Sequence, residues 1–557
     1  MKTEKASELV FLALGGVGEI GMNMALYGFG PARRRRWLMV DCGVGFGGQS
    51  EPGVDLVMAD PAFIEAEREN LLGIVLTHAH EDHYGGLVDL WPRLGVPVYA
   101  TAFSAAMLEA KLDGEPGAPD IEIIEVDQGA RFEIGPFDIE FVSMSHSIPE
   151  PNALVIRTPV GTVVHTGDWK IDLHPGLGLP IDLARLAEIG KEGVRALVCD
   201  STNATRAGRS PSERDVAASL AEIIAKAPAR VAVTTFASNA ARLRAVIAAA
   251  QEADREVVVL GRAMKRVLDI AGELGYLDGL RPVLDEEAYG YLPRDKVVAL
   301  LTGSQGERRA ALARIAGDDH RLVALSPGDL VIFSSRTIPG NEKAVAEIAN
   351  ALAERGIDIL TDRDGLVHVS GHPRRDELAE LYGLLKPQMA LPVHGEALHL
   401  AEHAKLARSL GVKEVVIPRN GLMVRLAPGP GEVVDEVHAG VLYKDGRLLV
   451  EPEQSGMEDR RRMSFAGVVV VSLALDAKGE TVAAPTTTLI GLPTATAEGV
   501  LFSAIVQKAV VGAIESIPRP RRKDHALVAE AVRRSARSAV AERWGKKPIC
   551  RVVVADV

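Results

Sequence analysis

The chain has 557 residues, 47% of them hydrophobic and 25% charged, several times the usual domain size, so three or four domains with ample cores are expected. No apolar run reaches the ~18 residues of a membrane span, the opening MKTEKASELVFLALGG lacks a small-residue cleavage site, and Cys42, Cys199 and Cys550 are scattered without a pairing or metal pattern. A cytoplasmic protein with no membrane partner is therefore expected, and its net charge of −12 excludes binding of polyanions by bulk charge alone.

In chain order, residues 8–14, 37–41, 74–77, 97–100, 138–143, 153–157 and 162–165 read as strands, with helices over 61–72 and 102–112. Cys42 and Cys199 sit at or near strand ends and read as small buried residues. From about residue 206 helices and strands alternate strictly. SPSERDVAASLAEIIAKA offers Ser210 as N-cap, Pro211 as first helical residue and Glu213 as capping-box partner. Strands over 230–236, 257–261, 297–304 and 330–335 alternate with helices near 239–253, 264–274, 307–316 and 341–355, which implies a parallel, doubly wound sheet. Ligands of such sheets gather at the carboxyl ends of the strands, where this sequence places TFASN, TGSQGE and SSRTIPGNE.

Beyond residue 360 come HVSGHPRRDELAELYGLL and KPQMALPVHGE. A region at 427–465 rich in Pro, Gly and charge reads as a linker, and the last unit as a hairpin (GVVVVSLALDAKGETVAA), two helices and a terminal strand, RVVVADV. Residues 516–557 hold 11 Lys/Arg against 4 Asp/Glu, a solvated helix face or an RNA or partner contact.

GVGEIG at 16–21 satisfies GxGxxG, and Asp41 lies 20 residues beyond Gly21. A dinucleotide site needs a crossover helix after the last glycine. MNMALYGFGPARRRR instead fits a strand, a turn and a return strand, which argues against nicotinamide binding; the arginines Arg33 to Arg36 read as a solvated tip or a phosphate contact.

The chemistry concentrates in LTHAHEDHYGG. Side chains alternate on a strand ending at Thr77, so His78 and His80 point the same way, while Asp82 and His83 sit at the following turn. Seven of the 14 histidines lie in a few short motifs, namely His78, His80, His83, His146, His368, His372 and His394, and Asp168 ends TVVHTGDW. Imidazole with carboxylate favours zinc or a similar first-row ion, and Mn2+ or Mg2+ are conceivable substitutes. Two ions sharing a bridging carboxylate make hydroxide available at neutral pH. His78, His80 and His146 are assigned to one Zn2+, Asp82, His83 and His394 to the second, and Asp168 to the bridge.

HAHEDH followed by a His, an Asp and a distant His resembles the metallo-β-lactamase superfamily, with Asp41 in MVDCG matching its first acidic motif. The unit bracketed by CDST and HVSGH is similar to the β-CASP insertion of the nucleic-acid-processing branch. LGGVGEIGMN, HTGDWKID, CDSTNATRAGRSPSE, TTFASN, TGSQGE, IFSSRTIPGNE, HVSGH and LPVHGE together resemble the bacterial ribonuclease J family, over residues 14 to 396. That resemblance implies an α/β chain built as a metallo-β-lactamase αββα sandwich (1–205 and 361–430), with an inserted doubly wound β-CASP domain (206–360), a linker (431–462) and a small α+β C-terminal domain (463–557). It places Asp200 on an acidic motif after the lactamase core. His372 falls on a histidine that supports proton transfer, and His368, Ser370 and Gly371 in a phosphate-contacting segment. Read without the resemblance, His368 and His372 have the alternative of capping and packing the helix after Pro373. Asp200 ends a strand and needs a partner, for which His372 is the candidate. Cys42 and Tyr84 depart from the small and aliphatic residues the family pattern favours, which touches pocket shape but removes no ligand.

The implied activity is a zinc-dependent phosphodiesterase acting on single-stranded RNA. It would be a 5′ to 3′ exonuclease favouring 5′-monophosphate ends with some endonuclease action, in RNA turnover and rRNA maturation, and a homodimer or homotetramer through the C-terminal domain. A DNA-directed β-CASP nuclease uses the same residues, since nothing in the sequence displays a 2′-hydroxyl contact. A small-molecule hydrolase of the same fold leaves the insertion without a purpose, and a non-catalytic scaffold sits badly with a complete ligand set.

Overall fold

The computed structural model describes residues 7–48, 50–338 and 340–557. Residues 1–6 of the opening segment and Pro339 of the SSRTIPGNE loop lie outside the described residues. The chain divides into two compact units, the first running to Gly45 and over Met58–Val441, the second made of Phe46–Val57 and Leu442–Val557.

In the first unit the strand Glu8–Gly15, apolar and buried on both faces from Leu9 onward, lies inside its sheet. Its sheet has eight strands in the order Glu432–Glu436, Leu422–Ala427, Glu8–Gly15, Met24–Gly30, Arg36–Val40, Leu71–Val75, Val98–Ala100 and Ile123–Glu125. A second sheet of seven strands runs Glu414–Val415, Met389–Val393, Ala196–Asp200, Gly161–His165, Asn152–Thr158, Phe137–Ser143 and Arg131–Ile134. Phe11, Tyr27 and Leu38 of the first sheet meet Phe137, Ile139, Leu154, Val198 and Leu391 of the second in one core. Outside the second sheet, Val155, Val164 and Leu197 are covered by Leu186 and Ile189, by Leu378, Leu381 and Leu385, and by Leu406, from the helices Leu183–Glu192, Arg375–Leu385 and Ala397–Ser409. Helix Ala102–Asp113 packs on Val98–Ala100 and Ile123–Glu125 of the first sheet. Two facing sheets with helices outside both give the αββα sandwich. The segment after GVGEIG forms the antiparallel pair Met24–Gly30 and Arg36–Val40, so no crossover helix exists for a dinucleotide.

The insertion forms a five-stranded, wholly parallel sheet in the order Glu256–Leu260, Val297–Leu301, Val231–Thr234, Leu330–Phe333 and Asp358–Leu360. The order reverses beside Val231–Thr234, so the hydroxyl-rich loops after that strand and its two neighbours converge at a topological switch point. Arg242, wholly buried, anchors them. Its guanidinium donates to Glu213 Oε2 at 2.8 Å, Ser334 Oγ at 2.6 Å, Ser334 O at 3.2 Å and Val367 O at 2.9 Å, beside the HVSGH segment.

Helix Glu213–Lys226 corrects the expected cap: Ser212 is the N-cap and Asp215 closes the box. Ser210 is drawn off because its N–H donates to Glu377 and its hydroxyl to His372 O. The expected helix over 61–72 is only Ala62–Ala66 and a 3-10 turn, Arg68–Asn70.

The stretch read as a linker differs from expectation. It carries the strand Glu432–Glu436 at the edge of the first unit's eight-stranded sheet, then the short strands Val441–Asp445 and Leu448–Val450 and the start of helix Met457–Ala466; Glu432–Glu436 is charged and largely exposed, and the others are too short to set an apolar rhythm. The expected hairpin turns at DAKGE, where Asp476 accepts from Lys478 N and Glu480 N, but the partner strand of Val468–Leu475 is Thr486–Ile490, past Pro485. The terminal strand Ile549–Asp556 pairs in parallel with Val468–Leu475 on its other edge. Helices Phe502–Ser516 and His525–Trp544 bury Val506, Val510, Val528 and Val532 against this small sheet.

Candidate metal centre and its surroundings

Strand Leu71–Val75 ends two residues before Thr77, so His78 lies in the loop and His80 is the N-cap of the helical turn Glu81–Tyr84. The two rings still converge. His78 Nε2 and His146 Nε2 each lie 3.1 Å from His80 Nδ1, and Asp168 Oδ2 closes the group at 3.9 Å from His78 and 3.6 Å from His146. A second group abuts it. His83 Nε2 is 3.3 Å from Asp168 Oδ2 and 3.6 Å from Asp82 Oδ2, and His394 Nε2 is 3.5 Å from Asp168 Oδ1 and 3.9 Å from Asp82 Oδ2. All seven expected ligands are thus brought together, in two groups that share Asp168, with the ligand atoms of each group within 4.8 Å of one another.

The chemistry of these donors fits cations. Ligands at a tetrahedral zinc stand about 3.3 Å apart, from Zn–N distances near 2.05 Å, and the observed separations cluster around that value. The hydrogen bonds around the rings aim lone pairs inward. Thr77 Oγ1–H donates to Asp41 Oδ2, so Thr77 Oγ1 accepts from His78 Nδ1–H at 3.0 Å. His83 Nδ1–H donates to Asp41 Oδ2 at 2.7 Å, His146 Nδ1–H to Gly371 O at 2.7 Å and His394 Nδ1–H to Asn23 Oδ1 at 3.0 Å. Each leaves Nε2 facing the cluster, the usual arrangement around metal-bound imidazoles. His80 Nδ1 then faces two acceptor nitrogens with one proton to offer. Asp168 Oδ1 and His394 Nε2 are buried with no hydrogen-bond partner and face each other, a contact that a cation satisfies and a proton-free pocket does not.

Burial holds His78 and His146 well below the ordinary imidazole range and pulls His80 down to about 4, so all three are bare bases at neutral pH. Burial also opposes protonation of His83, but Asp168, Asp82 and Asp41 outweigh it and carry the ring well above the usual value. Burial works to raise Asp168, and His394, His83 and His372 overcome it and keep the carboxyl well below the usual range. The local field favours positive charge on the side where the three carboxylates meet.

Asp200 and His372 form the expected pair, His372 Nδ1 lying 2.8 Å from Asp200 Oδ2 and 3.9 Å from Asp168 Oδ2. Against burial, Asp200 and Asp168 lift His372 to about 9. His372 is therefore not left to cap the following helix, whose N-cap is Arg374. His368 Nδ1 is buried without a partner, and burial, with Arg242 and Arg336 nearby, drives that ring down to about 3. Ser370 Oγ accepts from Asn203 Nδ2 at 2.8 Å, and Gly371 lies so close to His146 that a side chain there would collide with its ring.

Three residues at this centre escaped the sequence-based site list. Asp41, noted for its motif alone, is buried in the left-handed region at φ +62° and orients His83. Asn203 donates to both Ser370 Oγ and His372 O. Asn23 joins the two ends of the second group. Only the position of Asp41 at a strand end carried a signal; the asparagines carried none.

Family descriptions match the chain in sequence order: a beta-lactamase superfamily domain over 36–187, a ribonuclease J beta-CASP domain over 228–352, a Zn-dependent metallo-hydrolase RNA specificity domain over 356–418 and a ribonuclease J C-terminal domain over 455–557. The metallo-β-lactamase sandwich and its buried His/Asp cluster define a metal-binding hydrolase with an inserted β-CASP domain. A protein of unknown function from Enterococcus faecalis shares the fold, with a TM-score of 0.53 at 16% identity over 75% of this chain and 100% of that one. Among curated proteins, the chain is 57% identical to ribonuclease J of Sinorhizobium meliloti over 99% of its own length and 98% of the relative's. It is 40% identical to that of Thermus thermophilus (83% and 81% covered) and 37% to that of Corynebacterium glutamicum (98% and 75%). The chain belongs to the ribonuclease J family.

Proposed function

We propose that this chain is a ribonuclease that holds two zinc ions. His78, His80 and His146 would hold the first, Asp82, His83 and His394 the second, and Asp168 would join them. The observation that carries the reading is Asp168 itself, whose carboxylate faces histidines of both groups. Two adjacent cations would supply an activated water and neutralise charge on the attacked phosphoryl group.

The chain's own residues do the rest. Asp41 and Gly371 O hold His83 and His146 in the tautomer that can ligate. The Asp200 carboxylate accepts Nδ1–H of His372 and leaves that ring's Nε2 to give a proton to the departing 3′ oxygen. Neutral His368, with its Nδ1 unpaired, and the Ser370 and Gly371 segment face the work of positioning a phosphate, with Asn203 and Arg242 fixing that segment. Asp82 and Asp168 act as ligands within the catalytic set.

The RNA specificity description over 356–418, which contains His368, His372 and His394, and the ribonuclease J relatives support RNA as substrate. The finer reading is 5′ to 3′ exonuclease action on 5′-monophosphate single strands, with some endonuclease cleavage, in RNA turnover and rRNA maturation. The enzyme would work in the cytoplasm as a homodimer or homotetramer through its C-terminal domain, and Mn2+ or Mg2+ could replace zinc. We place the domains at 1–205 with 361–430, at 206–360 and at 463–557. Among the described residues no helix is long and apolar enough to cross a membrane.

Incubating the metal-loaded protein with matched 5′-phosphorylated RNA and DNA oligomers tests the reading. Mononucleotides released from RNA alone are expected. Equal digestion of DNA would move the enzyme to the DNA-directed branch, and inertness toward both would end the nuclease reading.

A further inference from the structure

The glycine loop GVGEIGMN has no part in the reaction as described, yet it abuts the second metal group. Gly16 O accepts from His394 N at 2.8 Å, and Gly18 and Glu19 bridge to Glu396 and Gly395. At its end stands Asn23, with every polar atom engaged. Its backbone N and its Nδ2 both donate to Asp82 O at 3.0 Å, its backbone O accepts from Gly43 N, and its Oδ1 faces His394 Nδ1 at 3.0 Å. Nδ2 also lies 3.1 Å from His83 Nε2.

These contacts determine one another. A carbonyl oxygen only accepts, so Asp82 O compels the amide of Asn23 to present Nδ2 there and Oδ1 on the opposite side. Oδ1 only accepts, so His394 must carry its proton on Nδ1, and its Nε2 is left as a lone pair. Nδ2 carries two hydrogens, one given to Asp82 O and the other lying toward His83 Nε2, so the same amide touches both imidazoles of the group. The loop is shaped around this side chain. Gly16 is left-handed at φ +85°, and a Cβ there would collide with Asn23 Oδ1, while a Cβ on Gly43 would collide with Asp82 O. His394 itself sits at φ +49°, a strained conformation that its neighbours must hold in place.

We infer that Asn23 is the positioning residue of the second metal group, an amide clamp that reads the acceptor-only Asp82 carbonyl and thereby selects the ligating tautomer of His394. The inference rests on the ligand assignment proposed above. It gives the glycine loop a purpose, since Gly16, the first glycine of the sequence that imitates a dinucleotide fingerprint, makes room for the clamp.

The test is zinc titration of the metal-free full-length chain against a competing chelator, on the wild type, Asn23→Ala and Asn23→Asp, with thermal unfolding of each metal-free form alongside. The wild type should take up two ions. Asn23→Ala should weaken one binding step about 10- to 100-fold, the range for losing an outer partner of a metal ligand, and leave the other step and the metal-free unfolding temperature unchanged. Asn23→Asp keeps an acceptor for His394 Nδ1–H and should recover part of the loss. Two unchanged steps in Asn23→Ala, or equal weakening of both, overturns the clamp while the ligand assignment survives. A wild type that binds fewer than two ions overturns the assignment, and the clamp with it.

Discussion

Replacing Arg242 with methionine isolates what holds the inserted sheet to the HVSGH segment. The substitution keeps the aliphatic stem but removes the guanidinium, and Glu213, whose side chain is 3% exposed, loses its ionic partner. The two carbonyls that Arg242 serves are not stranded, because Ser334 O also accepts from Thr235 Oγ1 and Val367 O from Ser334 Oγ. The cost is therefore that of one uncompensated buried carboxylate, about 3–5 kcal/mol. Replacing both partners removes the stranded charge, so Arg242→Met with Glu213→Gln should regain most of the loss. Denaturant unfolding of the metal-loaded chain, with the transition of each unit followed separately, measures it. A loss under ~1 kcal/mol for Arg242→Met, the level of an exposed pair, or a double variant less stable than the single one, refutes the reasoning.

Asp168→Ala should remove both ribonuclease activity and bound zinc, which metal analysis of the purified protein checks; full zinc with normal turnover contradicts the bridging role. His372→Ala should slow RNA cleavage by about 10²- to 10⁴-fold, the span of a lost general acid, with zinc content intact, and wild-type rates would return that ring to a packing role. Glu140 is desolvated, but its bonds to Arg185 and Arg157 outweigh this and lower its pKa. A depressed carboxyl contributes stability that is complete above its unfolded value near 4.3 and is lost as pH falls through the lower folded value. The acid limb of the stability curve should thus be flatter in Glu140→Gln, and an unchanged limb counts against the pair.

The clustering of the seven His and Asp residues was legible because chemically distinctive side chains recur in short motifs near strand ends. The parallel sheet was legible for a related reason, as buried strands such as VVVL and VALL alternate with capped helices. Partners of a ligand leave no such trace. Asn23 and Asn203 act through hydrogen bonds of a particular polarity, and any asparagine in a loop has the same composition. Ser210 had every local attribute of a helix cap and lost the position to Glu377 and His372, more than 160 residues away in sequence. The strands near 432–450 were missed because Glu432–Glu436 is charged and largely exposed, while Val441–Asp445 and Leu448–Val450 are too short to show a two-residue rhythm.

The second metal group draws His83 and His394 from opposite sides of the entire inserted sheet, the latter at the end of strand Met389–Val393, which can join its neighbour Ala196–Asp200 only after the insertion has been made. A polypeptide still short of that strand holds six of the seven proposed ligands and lacks His394. On the proposed reading, the first ion's three histidines and the shared Asp168 are made before the insertion is, and the second ion's site is completed only after it.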